Sequence, residues 1–137
     1  MNAAAGRSSS RSKFIPRVAR SHSRTVPRGE ATRCPVVIGA QESESARAVL
    51  VETAERLGCP LHVYGQDFLA FEENGRMVYQ DETGLLDLPP PRLSGRHQYA
   101  NAAAAIAAVR AAGFRLSPEA ASFAMGAVEW PGRLQRL

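Results

Sequence analysis

A change of hydrophobic period within residues 34–64 constrains the fold of this chain more than any other feature. Residues 34–39 (CPVVIG) form a short β-branched run bracketed by proline and glycine, which predicts a buried strand. Residues 46–57 then carry apolar side chains at the spacing of one helix face, and Gly58 and Pro60 end that pattern. A second apolar run, residues 61–64 (LHVY), follows. The order strand, helix, strand predicts a βαβ unit with a parallel sheet, and therefore an α/β fold.

The next segment predicts an antiparallel meander. Three apolar runs, at residues 68–71, 77–79 and 84–88, are separated by short turns. Asn74-Gly75 is a strong hairpin signal because both central residues of such a tight turn need positive φ. We interpret the acidic residues of this segment as a solvated hairpin face. Three consecutive prolines at 89–91 end the meander.

Two helices are predicted after the prolines. The first spans residues 97–112 and stops at Gly113, and we expect its alanine-rich sequence to be buried on almost every side. The second begins with Ser117 as its N-cap and Pro118 at the first helical position. Its inner face is predicted to consist of Ala120, Phe123, Ala124 and Ala127.

The positive charge of the chain is concentrated in its first 33 residues. This segment contains eight basic residues and one acidic residue, whereas residues 34–137 contain nine basic and twelve acidic residues. A nucleic-acid-binding domain would carry its basic stripe on the folded body, so we do not expect nucleic acid as a partner. No apolar run approaches the roughly 20 residues of a membrane helix. We therefore expect a cytoplasmic protein without membrane association.

Residues 1–33 have too little apolar surface to offset the entropy of ordering them and are predicted to be disordered. Three interpretations stay open. The segment is the translation of a GC-rich gene from a wrong frame or start, or it is an organelle transit peptide, or it is a solvated tail or an electrostatic arm that binds nucleic acid. We favour the first, because the pattern changes abruptly at Cys34 without a linker.

Two short motifs in the second half of the chain carry candidate binding residues. His97 and Asn101 share one face at the start of a predicted helix, next to Gln98, and an asparagine amide can pair with the edge of adenine. An asparagine in this position is nevertheless more often a local capping residue. Arg133 follows a Pro-Gly bend, where a guanidinium suits phosphate, although most arginines in turns are simply solvated.

These motifs together resemble the folylpolyglutamate synthase/dihydrofolate synthase branch of the Mur ligase family. The resemblance rests on residues 93–103 (LSGRHQYANAA) and on residues 130–135 (WPGRLQ) some thirty positions later. Residues 35–41 (PVVIGAQ) and 63–65 (VYG) also resemble the central domain of that family. The similarity covers residues 34–137, and the two motifs at this separation are far more specific than either alone.

The resemblance implies an ATP-dependent amide-forming ligase. In that family ATP phosphorylates a carboxylate of dihydropteroate or a folate, and the amine of L-glutamate attacks the acyl phosphate. Asn101 would contact adenine and Arg133 would reach the ATP phosphates, while His97 and Gln98 would shape the helix start. ATP and Mg²⁺ are the implied cofactors, but the resemblance places no catalytic residue and no metal ligand in this chain.

The chain departs from the family pattern on both sides of the matching region. A phosphate-binding loop ending Gly-Lys-Ser or Gly-Lys-Thr has no counterpart, and Lys13 is the sole lysine among the 137 residues. The family's metal ligands and modified lysine would precede Pro35, and its glutamate-binding C-terminal domain would follow Leu137. We therefore expect residues 34–137 to be a partial, catalytically incomplete ATP-binding domain. The alternative is a noncatalytic interaction protein whose basic arm binds nucleic acid or an acidic partner.

Overall fold

A computed structural model describes residues 34–129 of the chain. These residues form five strands and three helices in an α/β arrangement. The elements in chain order are β1 (Val36–Ile38), α1 (Glu44–Arg56), β2 (Leu61–Val63), β3 (Phe68–Glu73), β4 (Arg76–Asp81), β5 (Gly84–Leu88), α2 (His97–Ala111) and α3 (Pro118–Ala127). Among them, no helix combines the length and the hydropathy that crossing a membrane requires.

The first three elements form the predicted βαβ unit. Strands β1 and β2 pair in parallel, with Val37 opposite His62. The side chain of Ser43 accepts a hydrogen bond from the backbone N–H of Ala46 and so caps the start of α1. Gly58, with φ of 67°, ends α1 in the left-handed conformation that favours glycine.

The antiparallel meander is also confirmed. Strands β3, β4 and β5 form a three-stranded sheet in sequence order. Asn74 and Gly75 connect β3 to β4 with φ values of 52° and 75°, which are the positive angles that the tight hairpin turn requires. Arg76 in β4 forms an exposed ion pair with Asp87 in β5, in agreement with a solvated hairpin face at this position.

One hydrophobic core joins the meander to the two C-terminal helices. Helix α2 packs across β3 and β1, and α3 packs against β5. The largest side chains in this core are fully buried, namely Tyr79, Phe68, Met77 and Leu88. A Cβ atom placed on Gly39 would lie 3.6 Å from the Cβ of Ala104, so α2 approaches the end of β1 closely.

The helices are confirmed, but the predictions of their buried faces are partly wrong. In α3 the buried residues are Ala121 and Met125, whereas Phe123 is 77% exposed. Helix α2 has four buried residues, Gln98, Ala103, Ile106 and Ala107. Asn101, Ala105 and Val109 are exposed, so this helix is not buried on almost every side. Which face of a helix is buried depends on the elements that pack beside it. In an alanine-rich or apolar helix, several faces are equally suitable for burial.

Helix α1 shows the same difference. Its sole fully buried residue is Ala54, and the predicted inner residues Val49 and Leu50 are exposed. Part of the apolar side of helix α1 is therefore exposed.

Candidate functional site

The predicted adenine-binding residues come together at the start of α2. The chain enters this helix through Gly95, whose φ of 116° is accessible mainly to glycine. A Cβ atom on Gly95 would lie only 2.5 Å from Cε1 of His97. Glycine at position 95 thus allows the imidazole ring of His97 to lie directly against the backbone of the preceding turn.

The side chains of His97, Gln98 and Asn101 form one hydrogen-bonded chain. The Nδ2 of Asn101 donates to the Oε1 of Gln98 over 3.1 Å. The Nε2 of Gln98 lies 3.1 Å from the Nε2 of His97. Gln98 is 6% exposed and is the one polar residue buried among residues 34–129, so it forms a fixed anchor between its two exposed neighbours.

Asn101 is exposed at the surface end of this chain of hydrogen bonds. An asparagine amide has two N–H donors and one carbonyl acceptor, and the bond to Gln98 uses one donor. One donor and the acceptor therefore stay available to a ligand. This pair complements the N7 acceptor and the N6 amino donor on one edge of adenine.

The predicted phosphate contact, Arg133, lies outside the described residues, and so does the whole WPGRLQ motif. The segment that leads to it is described up to Glu129. Glu129 forms a 2.6 Å ion pair with Arg92, and the backbone N–H of Arg92 donates to the carbonyl of Met125. These contacts join the end of α3 to the segment that enters α2 five residues before His97.

A second polar cluster lies at the other end of α2, and sequence reasoning missed it. The Nη1 of Arg110 lies 2.6 Å from Oδ2 of Asp81 and 2.5 Å from the hydroxyl of Thr83. The Tyr79 hydroxyl donates to Asp81 over 2.9 Å, and the Arg110 guanidinium lies 5.3 Å from the centre of the Tyr79 ring. The interpretation of the meander acids as a solvated face is wrong for Asp81, because its side chain is 10% exposed.

The hydrogen bonds of this cluster alter the pKa values of two groups. Burial alone would raise the pKa of Asp81, but hydrogen bonds from Thr83, Arg110 and Tyr79 outweigh it and lower that pKa. Burial, together with the neighbouring Asp81 carboxylate, raises the pKa of the Tyr79 hydroxyl. Asp81 is therefore ionised and Tyr79 neutral near pH 7.

An open groove of about 990 Å³ runs beside this second cluster. Helix α1 forms one wall, β2 the floor, and the end of β4 with the last turn of α2 the opposite wall. Arg47 lies in the α1 wall, where it pairs with Glu44. Asn101 does not line this groove, so the groove and the start of α2 are separate regions of the surface.

Residues 34–129 contain no group of three His, Cys, Asp or Glu side chains placed to hold a metal ion. No Mg²⁺ site is assigned to this part of the chain. The side chains of His97, Gln98 and Asn101 at the start of α2 offer hydrogen bonds, which can position a nucleotide base.

The chain is similar to solved folylpolyglutamate synthase structures. It is 26% identical to the synthase of Thermotoga maritima, with a TM-score of 0.68 over 79% of this chain and 26% of that one. It is 28% identical to E. coli FolC in complex with DHPP and ADP, with a TM-score of 0.62 over 74% of this chain and 23% of that one. It is 27% identical to a synthase in complex with AMPPCP and folate, with a TM-score of 0.61 over 77% of this chain and 28% of that one.

The chain spans about a quarter of the length of these structures. No protein-family model matches the chain, and no curated protein matches it at a significant level. The structural similarity nevertheless extends over more than two thirds of this chain. By fold and by sequence, the chain is therefore similar to one part of a folylpolyglutamate synthase/dihydrofolate synthase.

Proposed function

We propose that this chain is part of an ATP-dependent ligase that joins L-glutamate to dihydropteroate or a folate through an acyl phosphate. The similarity to solved synthases, two of them holding ADP or AMPPCP, supports a nucleotide-binding role. One observation in this chain supports it most directly. Asn101 is exposed, is held by a buried glutamine, and keeps both a donor and an acceptor available.

In this proposal the part of the chain after Pro35 contributes ATP contacts and no reacting group. Asn101 binds the edge of adenine, while Gln98 and His97 hold the amide in position. Arg133 binds the phosphates, where its guanidinium offsets negative charge on the transferred phosphoryl group. The ion pair between Arg92 and Glu129 supports this assignment, since it holds the segment leading to Arg133 next to the segment leading to α2.

The test is an ATP titration of the isotopically labelled 137-residue chain, followed by NMR. We expect chemical-shift changes at the side-chain amide of Asn101 and at the backbone of residues 95–101, and none at Asp81 or Thr83. Asn101→Ala should remove the changes that adenosine alone produces, whereas Arg133→Ala should remove those that inorganic triphosphate produces. Asn74→Gly, which alters an exposed amide in the hairpin and keeps its positive φ, is the matched control.

Catalysis should be absent from the chain by itself. Phosphoryl transfer depends on positioning and on electrostatic stabilisation by a phosphate-binding loop and metal ions, and the sequence has no Gly-Lys-Ser or Gly-Lys-Thr. We therefore expect no ATP-dependent addition of glutamate to dihydropteroate or folate by the purified chain. Turnover in a radiolabelled-glutamate assay would refute this expectation.

The noncatalytic alternative predicts a different result in the same experiment. If the chain is an interaction protein with a basic arm, ATP should leave Asn101 unperturbed. A short nucleic acid should instead bind with strong salt dependence, and deletion of residues 1–33 should abolish that binding.

A further inference from the structure

The two cysteines of the chain occupy equivalent positions in the βαβ unit. Cys34 lies two residues before Val36, the first residue of β1. Cys59 lies two residues before Leu61, the first residue of β2. Val36 and Leu61 are direct partners in the parallel pairing of these strands. If the same register is followed backwards along both segments, the two cysteines stand opposite each other.

The backbone keeps this register in front of the two strands. The N–H of Val36 donates to the carbonyl of Pro60 over 2.8 Å, so the pairing already includes the residue before β2. Each cysteine directly precedes a proline, Pro35 in one segment and Pro60 in the other. A residue before proline is restricted to extended backbone conformations. Both segments are therefore extended at the cysteines, as a continuation of the strand pairing requires.

The end of helix α1 fixes the position of Cys59. Gly58 has a φ of 67°, and the backbone N–H of Cys59 donates to the carbonyl of Ala54 over 3.0 Å. This is the bond that a Schellman motif forms at a helix end. Ala54 is buried, so the bond connects Cys59 to the packed side of the helix. Cys59 is itself partly buried, whereas Cys34 is exposed. A reagent in solution therefore reaches Cys34 first.

The distance between the two segments suits a disulfide. Opposite residues of neighbouring strands lie about 4.8 Å apart, and disulfides join Cα atoms that are about 4.4–6.8 Å apart. Opposite residues also place their side chains on the same face of the sheet. Both thiols are free in the structure, and the Sγ of Cys34 lies 3.6 Å from the carbonyl oxygen of Pro35. A thiol is a weak donor, so a change of side-chain rotamer gives up little when Cys34 turns towards Cys59.

We propose that Cys34 and Cys59 are a reversible dithiol–disulfide pair, which is oxidised by a low-molecular-weight disulfide and then joins the starts of β1 and β2. The thiolate of Cys34 attacks one sulfur of the reagent, whose S–S bond breaks and releases a first thiolate. The thiolate of Cys59 then attacks the Cys34 sulfur of the mixed disulfide and releases a second thiolate. Overall, two protons and two electrons pass from the protein thiols to the reagent, which is reduced to two thiols.

Oxidation should stabilise the βαβ unit without altering the candidate adenine contact. The disulfide closes a loop over residues 34–59, which contains the whole of α1, and so restricts the unfolded chain. Helix α2 approaches the opposite end of β1, where a Cβ on Gly39 would lie 3.6 Å from the Cβ of Ala104. The inference therefore stands apart from the proposed function and from Asn101.

The test uses the full 137-residue chain in mixtures of reduced and oxidised glutathione. After the remaining thiols are alkylated, mass spectrometry should show a chain that has lost two hydrogen atoms and carries neither glutathione nor an alkyl group. Without reduction, trypsin should release residues 34–47 joined to residues 57–76, since each of these peptides contains one of the two cysteines. The oxidised chain should unfold about 10 °C or more above the reduced chain.

A variant with a displaced thiol is the matched control. Cys34→Ser together with Ala40→Cys keeps two thiols and brings them closer in sequence, but places one of them past the other end of β1. At the same glutathione ratio, this control should form at least tenfold less intramolecular disulfide than the natural chain. In concentrated urea the advantage of the natural chain should disappear, because the advantage comes from the strand pairing.

The proposal is overturned if the natural chain and the control give equal yields of intramolecular disulfide in buffer, or if the advantage of the natural chain persists in urea. It is also overturned if the main product carries glutathione on both cysteines, or if it is a dimer joined by a disulfide. An oxidised chain that unfolds no higher than the reduced chain would contradict it as well. An ATP titration that fails to perturb Asn101 refutes the proposed function and leaves the disulfide result unaffected.

Discussion

The two ends of α2 carry polar clusters of different kinds. At the start, a chain of hydrogen bonds ends in the exposed amide of Asn101, which keeps hydrogen-bonding capacity. About 14 Å along the helix, Arg110 and Asp81 form a charged pair in which Thr83 and Tyr79 also take part. The second cluster uses its polar atoms within the protein, whereas the first leaves some for a ligand.

This difference separates a stabilising cluster from a binding cluster on one element. A perturbed pKa alone would favour the Asp81 end as a functional site, since perturbed groups concentrate at such sites. The hydrogen bonds account for that perturbation without any ligand, because Arg110 and Thr83 stabilise the carboxylate directly. The start of α2 is of interest for another reason, which is the unused donor and acceptor of the Asn101 amide.

The largest expected effect is the loss of stability on removing the cation at the end of α2. Arg110→Met keeps the length of the side chain but leaves Asp81, 10% exposed, without its ion-pair partner. Removing one partner of a well-buried pair costs about 3–5 kcal/mol, and the partial exposure here reduces our expectation to about 2–3 kcal/mol. Urea denaturation measures this loss of unfolding free energy.

Arg76→Met is the matched control for this substitution. The side chains of Arg76 and Asp87 are both about half exposed, so breaking that pair should cost less than about 1 kcal/mol. Equal losses of unfolding free energy for the two variants would show that burial does not strengthen the contribution of the Arg110–Asp81 pair.

The next largest effect is expected at Gly95, in the turn that precedes the start of α2. Gly95→Ala places a Cβ at 2.5 Å from the ring of His97 and imposes a φ of 116° on an L-residue. We expect a loss of about 1–3 kcal/mol, measured by thermal unfolding, and a displaced His97 ring. Gly126→Ala lies within α3 where a Cβ meets no atom, so it should stabilise the protein by about 0.5–1 kcal/mol.

A smaller effect is the acid sensitivity of the Asp81 cluster. Because the pKa of Asp81 is lower in the folded chain than its ordinary value of 3.8, ionisation of this carboxyl stabilises the folded state. That contribution is fully present above the ordinary pKa and is lost as the pH falls through the lower, folded-state pKa. Urea unfolding between about pH 5 and pH 2 should show a shallower decline for Asp81→Asn than for the natural sequence. Parallel declines would contradict the shift.

The secondary structure was predictable because each element carries its own local signal. Several element boundaries are marked by backbone geometry that depends on neighbouring residues alone, namely those at Gly58, Asn74-Gly75, Ser117 and Pro118. The sequence did not predict Ser43 as the N-cap of α1. Such local signals reproduce the strands and helices of the described residues to within one or two positions, the usual precision at element ends.

The packing faces and the charged cluster were not predictable in the same way. Phe123 is on the exposed side of α3 because β5 lies on the other side, and that placement depends on the whole fold. Asp81 and Arg110 are 29 residues apart, and neither position follows a local pattern. The start of α2 was identified through a resemblance. The structure adds the hydrogen bonds that connect His97, Gln98 and Asn101, which the sequence alone did not predict. The role of Arg133 stays a prediction.

The smallest expected effect on stability is that of Asn101→Ala. Its side chain is exposed, and alanine has the higher helix propensity, so the loss of the bond to Gln98 should be nearly offset. We expect the free energy of unfolding to change by less than about 0.5 kcal/mol. Gln98→Ala, at a position 6% exposed, should cost about 1–2 kcal/mol because it removes the buried anchor. If Asn101→Ala proves as costly as Gln98→Ala in urea denaturation, the amide stabilises the helix start, and the contrast between the two ends of α2 is lost.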